Sequence, residues 1–172
     1  TDDKQRPAPS SGWTNDSARL LYAMDTHGDE NTHVFSVDVA TLETKDLTPY
    51  EKTQGRIAAM SKKFPTAMVV ALNDRDPQYH DLYRVDIVTG QRKLLLKNER
   101  YVSFVYDDSL NVRYALEPRP DSGFEILAAD GKGGFKPFQT IPAEDSLTTS
   151  PAGFDKAGRI LYLSESRNRD TS

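Results

Sequence analysis

The sequence predicts an all-β chain assembled from repeated four-stranded antiparallel sheets. Three observations carry that prediction. First, apolar and polar residues alternate with a period of two. Over residues 33–39, Val34, Ser36 and Asp38 point to one side and Phe35, Val37 and Val39 to the other. Second, no segment shows the 3.6-residue rhythm of an amphipathic helix of three turns. Third, the stretch HVFSVDVATLETKDL (33–47) recurs as DLYRVDIVTGQRKLL (81–95). Val37 matches Val85, Asp38 matches Asp86, Thr41 matches Thr89, Lys45 matches Lys93 and Leu47 matches Leu95. A fainter copy, EILAAD (125–130), puts Asp130 in the same place, so the three aspartates fall 48 and 44 residues apart. A period in the forties with strand patterning is that of propeller blades. The fold expected is a partial β-propeller of about three and a half four-stranded antiparallel blades.

The elements follow in order. Blade one (10–50) takes a short strand at 12–14, then 19–25, 33–39 and 43–47. Blade two (51–98) takes 56–60, 67–73, 81–87 and 91–96, and blade three (99–145) takes 102–106, 111–116, 124–129 and 135–141. A fourth, incomplete blade (146–172) opens at Phe154 and RILYLSES, where GRILY (158–162) repeats ARLLY (18–22) and Phe154 answers Trp13. ATLET and VTGQR read as hairpin turns, and Gly90 suits a positive φ. RPDSGF and ADGKGGF read as turns too. DTHGDENTH (25–33) reads as the loop between the second and third strands of blade one, and NDRDPQYHD (73–81) as its counterpart one blade on. Trp13, Tyr22, Phe35, Tyr83, Phe104, Tyr106, Phe124, Phe154 and Tyr162 are expected to fill the gaps between blades, because each sheet must bury both faces. Three and a half blades leave two sheet faces uncovered. A longer parent chain is the preferred cover; pairing of the open edges of two copies is the other.

Composition narrows the function classes. A hydrophobic fraction of 37% and a charged fraction of 28% describe a polar globular chain. With a net charge of −4 there is no basic footprint for nucleic acid. No apolar run reaches the roughly 20 residues of a membrane helix, and TDDKQRPAPSSG holds no apolar core of a signal peptide. The absence of cysteine excludes disulfides, thiolate metal sites and a cysteine nucleophile, and fits either the cytoplasm or the periplasm.

Candidate sites are few. His27, Asp29, Glu30 and His33 lie within seven residues, and their ligand types suit zinc or manganese. Their spacing matches no established metal motif, so a solvated loop is the preferred reading. His80 beside Asp81 does not define a triad, which is a matter of geometry. Gly131-Lys132-Gly133-Gly134 lacks the Ser or Thr and the helix of a phosphate loop and reads as a hairpin turn. Asp38, Asp86 and Asp130 close the third strands, where a carboxylate accepts backbone N–H groups of the following turn. No cofactor is expected.

WTNDSARLLYAMDTHGDENTHVFSVDVATLETKDLTPY and LNDRDPQYHDLYRVDIVTGQRKLLLKN resemble successive early blades of prolyl oligopeptidase-family serine peptidases, with the acylaminoacyl-peptidase and dipeptidyl-aminopeptidase-like bacterial members nearest. GRILYLSESRNRDT looks like a later blade entry, so the resemblance spans nearly the whole chain. GDEN and NDRDP carry most of its specificity; LYRVDIVTG is generic to propellers, TolB-like ones included. The resemblance implies a propeller that caps an α/β-hydrolase domain bearing a Ser-Asp-His triad and admits only short peptides. That hydrolase domain is expected to lie outside these residues, because no Gly-x-Ser-x-Gly elbow occurs here. No triad residue can be carried over. Asp74, Arg75 and Asp76 of NDRDP are then candidates for contact with substrate or with the hydrolase domain, Arg75 foremost because a guanidinium binds carboxylates bidentately. A turn before Pro77 and an ion pair inside the blade are the structural alternatives. Two rival functions are a TolB-like protein-binding module and a metal-dependent propeller hydrolase.

Overall fold

The computed structural model describes residues 10–25 and 28–165. They divide at Glu99/Arg100 into two compact units.

The first unit holds two four-stranded antiparallel sheets, each a meander of sequence neighbours. Blade one is β1 (Ser10–Trp13), β2 (Arg19–Asp25), β3 (Thr32–Asp38) and β4 (Thr44–Asp46). Blade two is β5 (Gly55–Met60), β6 (Ala67–Asp76), β7 (Tyr79–Asp86) and β8 (Arg92–Leu96). The second unit holds blade three, β9 (Ser103–Tyr106), β10 (Val112–Pro118), β11 (Phe124–Ala129) and β12 (Phe135–Ile141). A 3-10 turn at Ala143–Asp145 leads to a two-stranded sheet, β13 (Ser150–Phe154) and β14 (Leu161–Ser164). Among the described residues no helix is long and apolar enough to cross a membrane.

The core of the first unit lies between its two sheets. Leu21, Val34 and Leu47 of blade one meet Met68, Val70, Leu72, Val85 and Ile87 of blade two, all buried, with Tyr50, Ile57 and Tyr83 packed at the margin. Strand alternation explains the membership. Leu21, Val34 and Val85 face the seam, while their neighbours Tyr22, Phe35 and Arg84 face away. β6 is buried at five successive positions, Met68–Leu72, and so has both faces covered. Polar ties reinforce the seam: Lys45 Nζ donates to the Val88 carbonyl (2.6 Å) and Gln54 Nε2 to the Glu30 carbonyl (3.0 Å).

The turns behave as the repeat predicts. Oδ1 of Asp38 accepts from the N–H groups of Ala40 and Thr41, that of Asp86 from Val88 and Thr89, and that of Asp130 from Lys132 and Gly134. These backbone donors hold all three carboxyls below the usual carboxylate range. Gly90 sits at φ 78°, and its counterpart Leu42 at φ 61°. One copy of the turn thus places a β-carbon in the left-handed region and the other avoids it.

Three expectations change. NDRDPQYHD is mostly strand: β6 runs on to Asp76, Asp76 pairs with Tyr79, and the turn shrinks to Pro77 and Gln78, with an irregularity in register between Leu72 and Asp76. The aromatic residues also do not all fill gaps between blades. Tyr22 and Phe35 are cross-strand partners in one sheet, stacked at 5.0 Å, and Trp13 and Tyr162 are more than half exposed. Tyr83 at the seam, and Phe154 stacked on Tyr114 at 6.0 Å in the second unit, do fill such gaps. The fourth sheet begins at Ser150 rather than Phe154.

Gly123 marks the tightest backbone approach. A Cβ there would collide with the Ile141 carbonyl oxygen, which belongs to a strand end and cannot swing aside. Gly123→Ala is expected to destabilise the second unit by about 2 kcal/mol, in the range for an overpacked site. Chemical denaturation checks it: the midpoint should fall with the slope unchanged.

Candidate functional site

The tip of the β6–β7 hairpin gathers the charged residues singled out from sequence, and the fold engages each of them internally. Arg75 Nε and Nη2 bind Asp81 Oδ2 and Oδ1 at 2.8 and 2.9 Å, a bidentate pair. Nη2 also donates to the Asn98 carbonyl (2.5 Å), and the Asn98 N–H donates to Asp81 Oδ1 (2.7 Å). Asp81 is 2% exposed and Asn98 equally buried, so the guanidinium fastens the hairpin to the chain leaving β8. Burial pushes the Asp81 carboxyl up, but the bonds from Arg75 and Asn98 outweigh it and leave the carboxyl below its ordinary value.

Asp74 takes a different partner. Arg92 Nη1 meets its Oδ2 at 2.7 Å, while the Arg92 guanidinium lies over the rings of Tyr50 (4.0 Å) and Tyr83 (4.4 Å). The Tyr83 hydroxyl donates to Asp74 (3.1 Å). Burial, that hydrogen bond and the Asp74 charge push the phenol up to about 12, so it stays a donor. Asp76 Oδ1 accepts from the Gln78 N–H (2.9 Å) and closes the two-residue turn.

Of the four metal candidates, His27 lies outside the described residues. Asp29 accepts from the backbone and side-chain N–H groups of Asn31 (both 3.0 Å), and Glu30 sits at φ 61°. His33 Nδ1 meets Asp46 Oδ2 at 2.7 Å, away from the loop. Among the described residues no group of three His, Cys, Asp or Glu side chains could hold a metal ion.

One concave site was not singled out from sequence. A cleft of about 520 Å³ opens within the first unit between the leading strands of its blades. Ser11 and Gly12 of β1, Leu21 and Ala23 of β2, Thr32 of β3, Gly55, Arg56, Ile57 and Met60 of β5, and His80 of β7 line it together with Gln54. Burial, and the charge of Arg56, hold the His80 imidazole below its usual pKa and favour its neutral form. Gly55 sits in close approach: a Cβ would stand 3.1 Å from both the Leu72 Cδ2 and Thr48 Oγ1 atoms, which would each have to give by a few tenths of an ångström.

Comparison with known proteins places these blades. No protein-family model matches the chain. Dipeptidyl aminopeptidase BIII of Pseudoxanthomonas mexicana is 41% identical over 173 residues, which take in 100% of this chain and 25% of that protein. The chain is, over its whole length, a homologue of part of that dipeptidyl aminopeptidase. It spans about a quarter of the length of the curated relative it matches. Solved propellers share the fold at low identity. TolB from Acinetobacter baumannii superposes with a TM-score of 0.55 at 18% identity, over 88% of this chain and 36% of that one. Dipeptidyl peptidase 4 of Porphyromonas gingivalis superposes with a TM-score of 0.52 at 18% identity, over 92% of this chain and 29% of that one. The three four-stranded sheets and the two-stranded one are therefore blades of a partial β-propeller.

Proposed function

We propose that these residues form the non-catalytic propeller part of a serine dipeptidyl peptidase and govern which peptides reach a separate α/β-hydrolase domain. One observation carries the reading: 41% identity to a dipeptidyl aminopeptidase runs through the whole chain, which contains no Gly-x-Ser-x-Gly elbow. The peptide-bond chemistry, acyl transfer through an activated serine, then resides elsewhere in the parent. The blades contribute walls. Their hairpin-tip charges are committed to Asp81, Asn98, Tyr83 and Arg92, which stiffens the tip. A stiff wall restricts entry to flexible, short chains and keeps folded proteins from the reacting serine.

The test uses the parent protein. A fluorophosphonate probe should label one serine outside these 172 residues, and the 172-residue chain should neither be labelled nor retain hydrolysis of dipeptidyl chromogenic amides after repurification. For the gate, kcat/KM measured on peptides of one N-terminal sequence and increasing length should fall steeply with length. An unlabelled parent sinks the peptidase reading, and a flat length profile sinks the gate.

A further inference from the structure

We infer that the cleft between the leading strands of blades one and two is a binding subsite for the C-terminal residue of a short peptide, with its free carboxylate on Arg56. The inference rests on the peptidase reading and names where the far end of a short substrate is held. It starts from charge. Six arginines of the described chain pair with carboxylates: Arg19 with Asp38, Arg75 with Asp81, Arg92 with Asp74, Arg100 with Glu117, Arg113 with Asp107 and Arg119 with Asp121. Arg56, Arg84 and Arg159 have no such partner among the described residues, although the chain carries 26 acids to 22 lysines and arginines; Arg84 lies over the Phe64 ring (4.3 Å), and Arg56 lines the cleft. An unpaired guanidinium on the wall of a concavity is a receptor for an anion with two coplanar oxygens.

The surroundings narrow the anion. Leu21, Ala23, Ile57 and Met60 give the cleft an apolar lining, and Met60 stands 40% exposed with nothing over it among the described residues. A ligand that satisfies both features carries a carboxylate and an apolar group close together. A C-terminal residue with an aliphatic side chain has both on one α-carbon, whereas an acidic side chain would place its charge without the apolar group. His80, half-buried and biased to the neutral form, adds a polar wall without a competing charge. Gln54 is already committed, its amide donating to Glu30 and its N–H to Asn73. The volume of about 520 Å³ lies within the 300–1,000 Å³ usual for small-ligand sites.

The test titrates the 172-residue chain with Ala-Ala-Leu and with its C-terminal amide, followed by NMR chemical shifts. The free acid should bind about tenfold more tightly than the amide, the usual worth of one charge-assisted contact. Arg56→Gln should erase that preference while leaving the melting temperature unchanged. Met60→Glu, which adds a like charge to the lining, should weaken the acid more than the amide. Equal binding of acid and amide by the native chain overturns the inference, and so does a preference that survives Arg56→Gln. No turnover is needed, so failure of the peptidase reading, an unlabelled parent, is separable from failure of the subsite.

Discussion

Leu72→Ala is expected to lower the unfolding free energy of the first unit by about 3–4 kcal/mol. Leu72 is fully buried at the seam, where blade-one and blade-two side chains interdigitate. Truncation removes its transfer free energy and leaves a cavity. Both faces of β6 are packed, so the site cannot collapse to refill it. Urea titration should show a lower midpoint at an unchanged slope. A second substitution sharpens the test, because Leu72 Cδ2 is one of the atoms that a Cβ at position 55 would strike. Gly55→Ala should therefore be milder in the Leu72→Ala background than in the native one. Thr48 Oγ1 and the Thr32 carbonyl also crowd that position, so the relief is partial. Strict additivity of the two substitutions would show that the seam adjusts elsewhere.

Asp81→Ala is expected to cost about 2 kcal/mol. The carboxylate accepts from both Arg75 nitrogens and from the buried Asn98 N–H, so its loss removes three charge-assisted bonds at once. The figure sits below the 3–5 kcal/mol typical of breaking a fully buried pair because the Arg75 side chain is 34% exposed and can rehydrate. The pH dependence has a definite sign. The folded-state pKa of Asp81 lies below its reference of 3.8, so the folded protein binds protons there less readily than the unfolded chain. Its contribution is complete above roughly pH 5, one unit above the unfolded value, and is lost as pH falls through the folded pKa. Melting temperatures of native and Asp81→Ala protein should thus differ most at neutral pH and converge in acid. A gap that persists undiminished at pH 2 would refute the assignment.

How much of this was legible in the sequence depends on how local each feature is. The turn aspartates were readable because Asp38, Asp86 and Asp130 each bind N–H groups two to four positions on, an arrangement the repeat copies intact. The strand set was readable because burial follows the two-residue alternation. The extension of β6 was not: Asn73, Asp74, Arg75 and Asp76 carry loop chemistry, and only their partners across the hairpin, Asp81 and Tyr83, together with Arg92 of β8, make them strand residues. The cleft was illegible for the same reason, since its lining comes from two blades and spans residues 11 to 80. Arg56 gave no local signal at all. What singles it out is an uncommitted guanidinium on the wall of an apolar cleft, and that is a fact about neighbours in space.

Each blade pairs only strands adjacent in the chain, and the seam of the first unit is closed entirely by residues between Leu21 and Ile87. A ribosome delivering this polypeptide would therefore release every residue of that seam before the second unit had been made. Hairpins form in microseconds, far faster than residues are added at 5–20 per second. Within this unit, the second sheet can close on the first as soon as its own hairpins have formed.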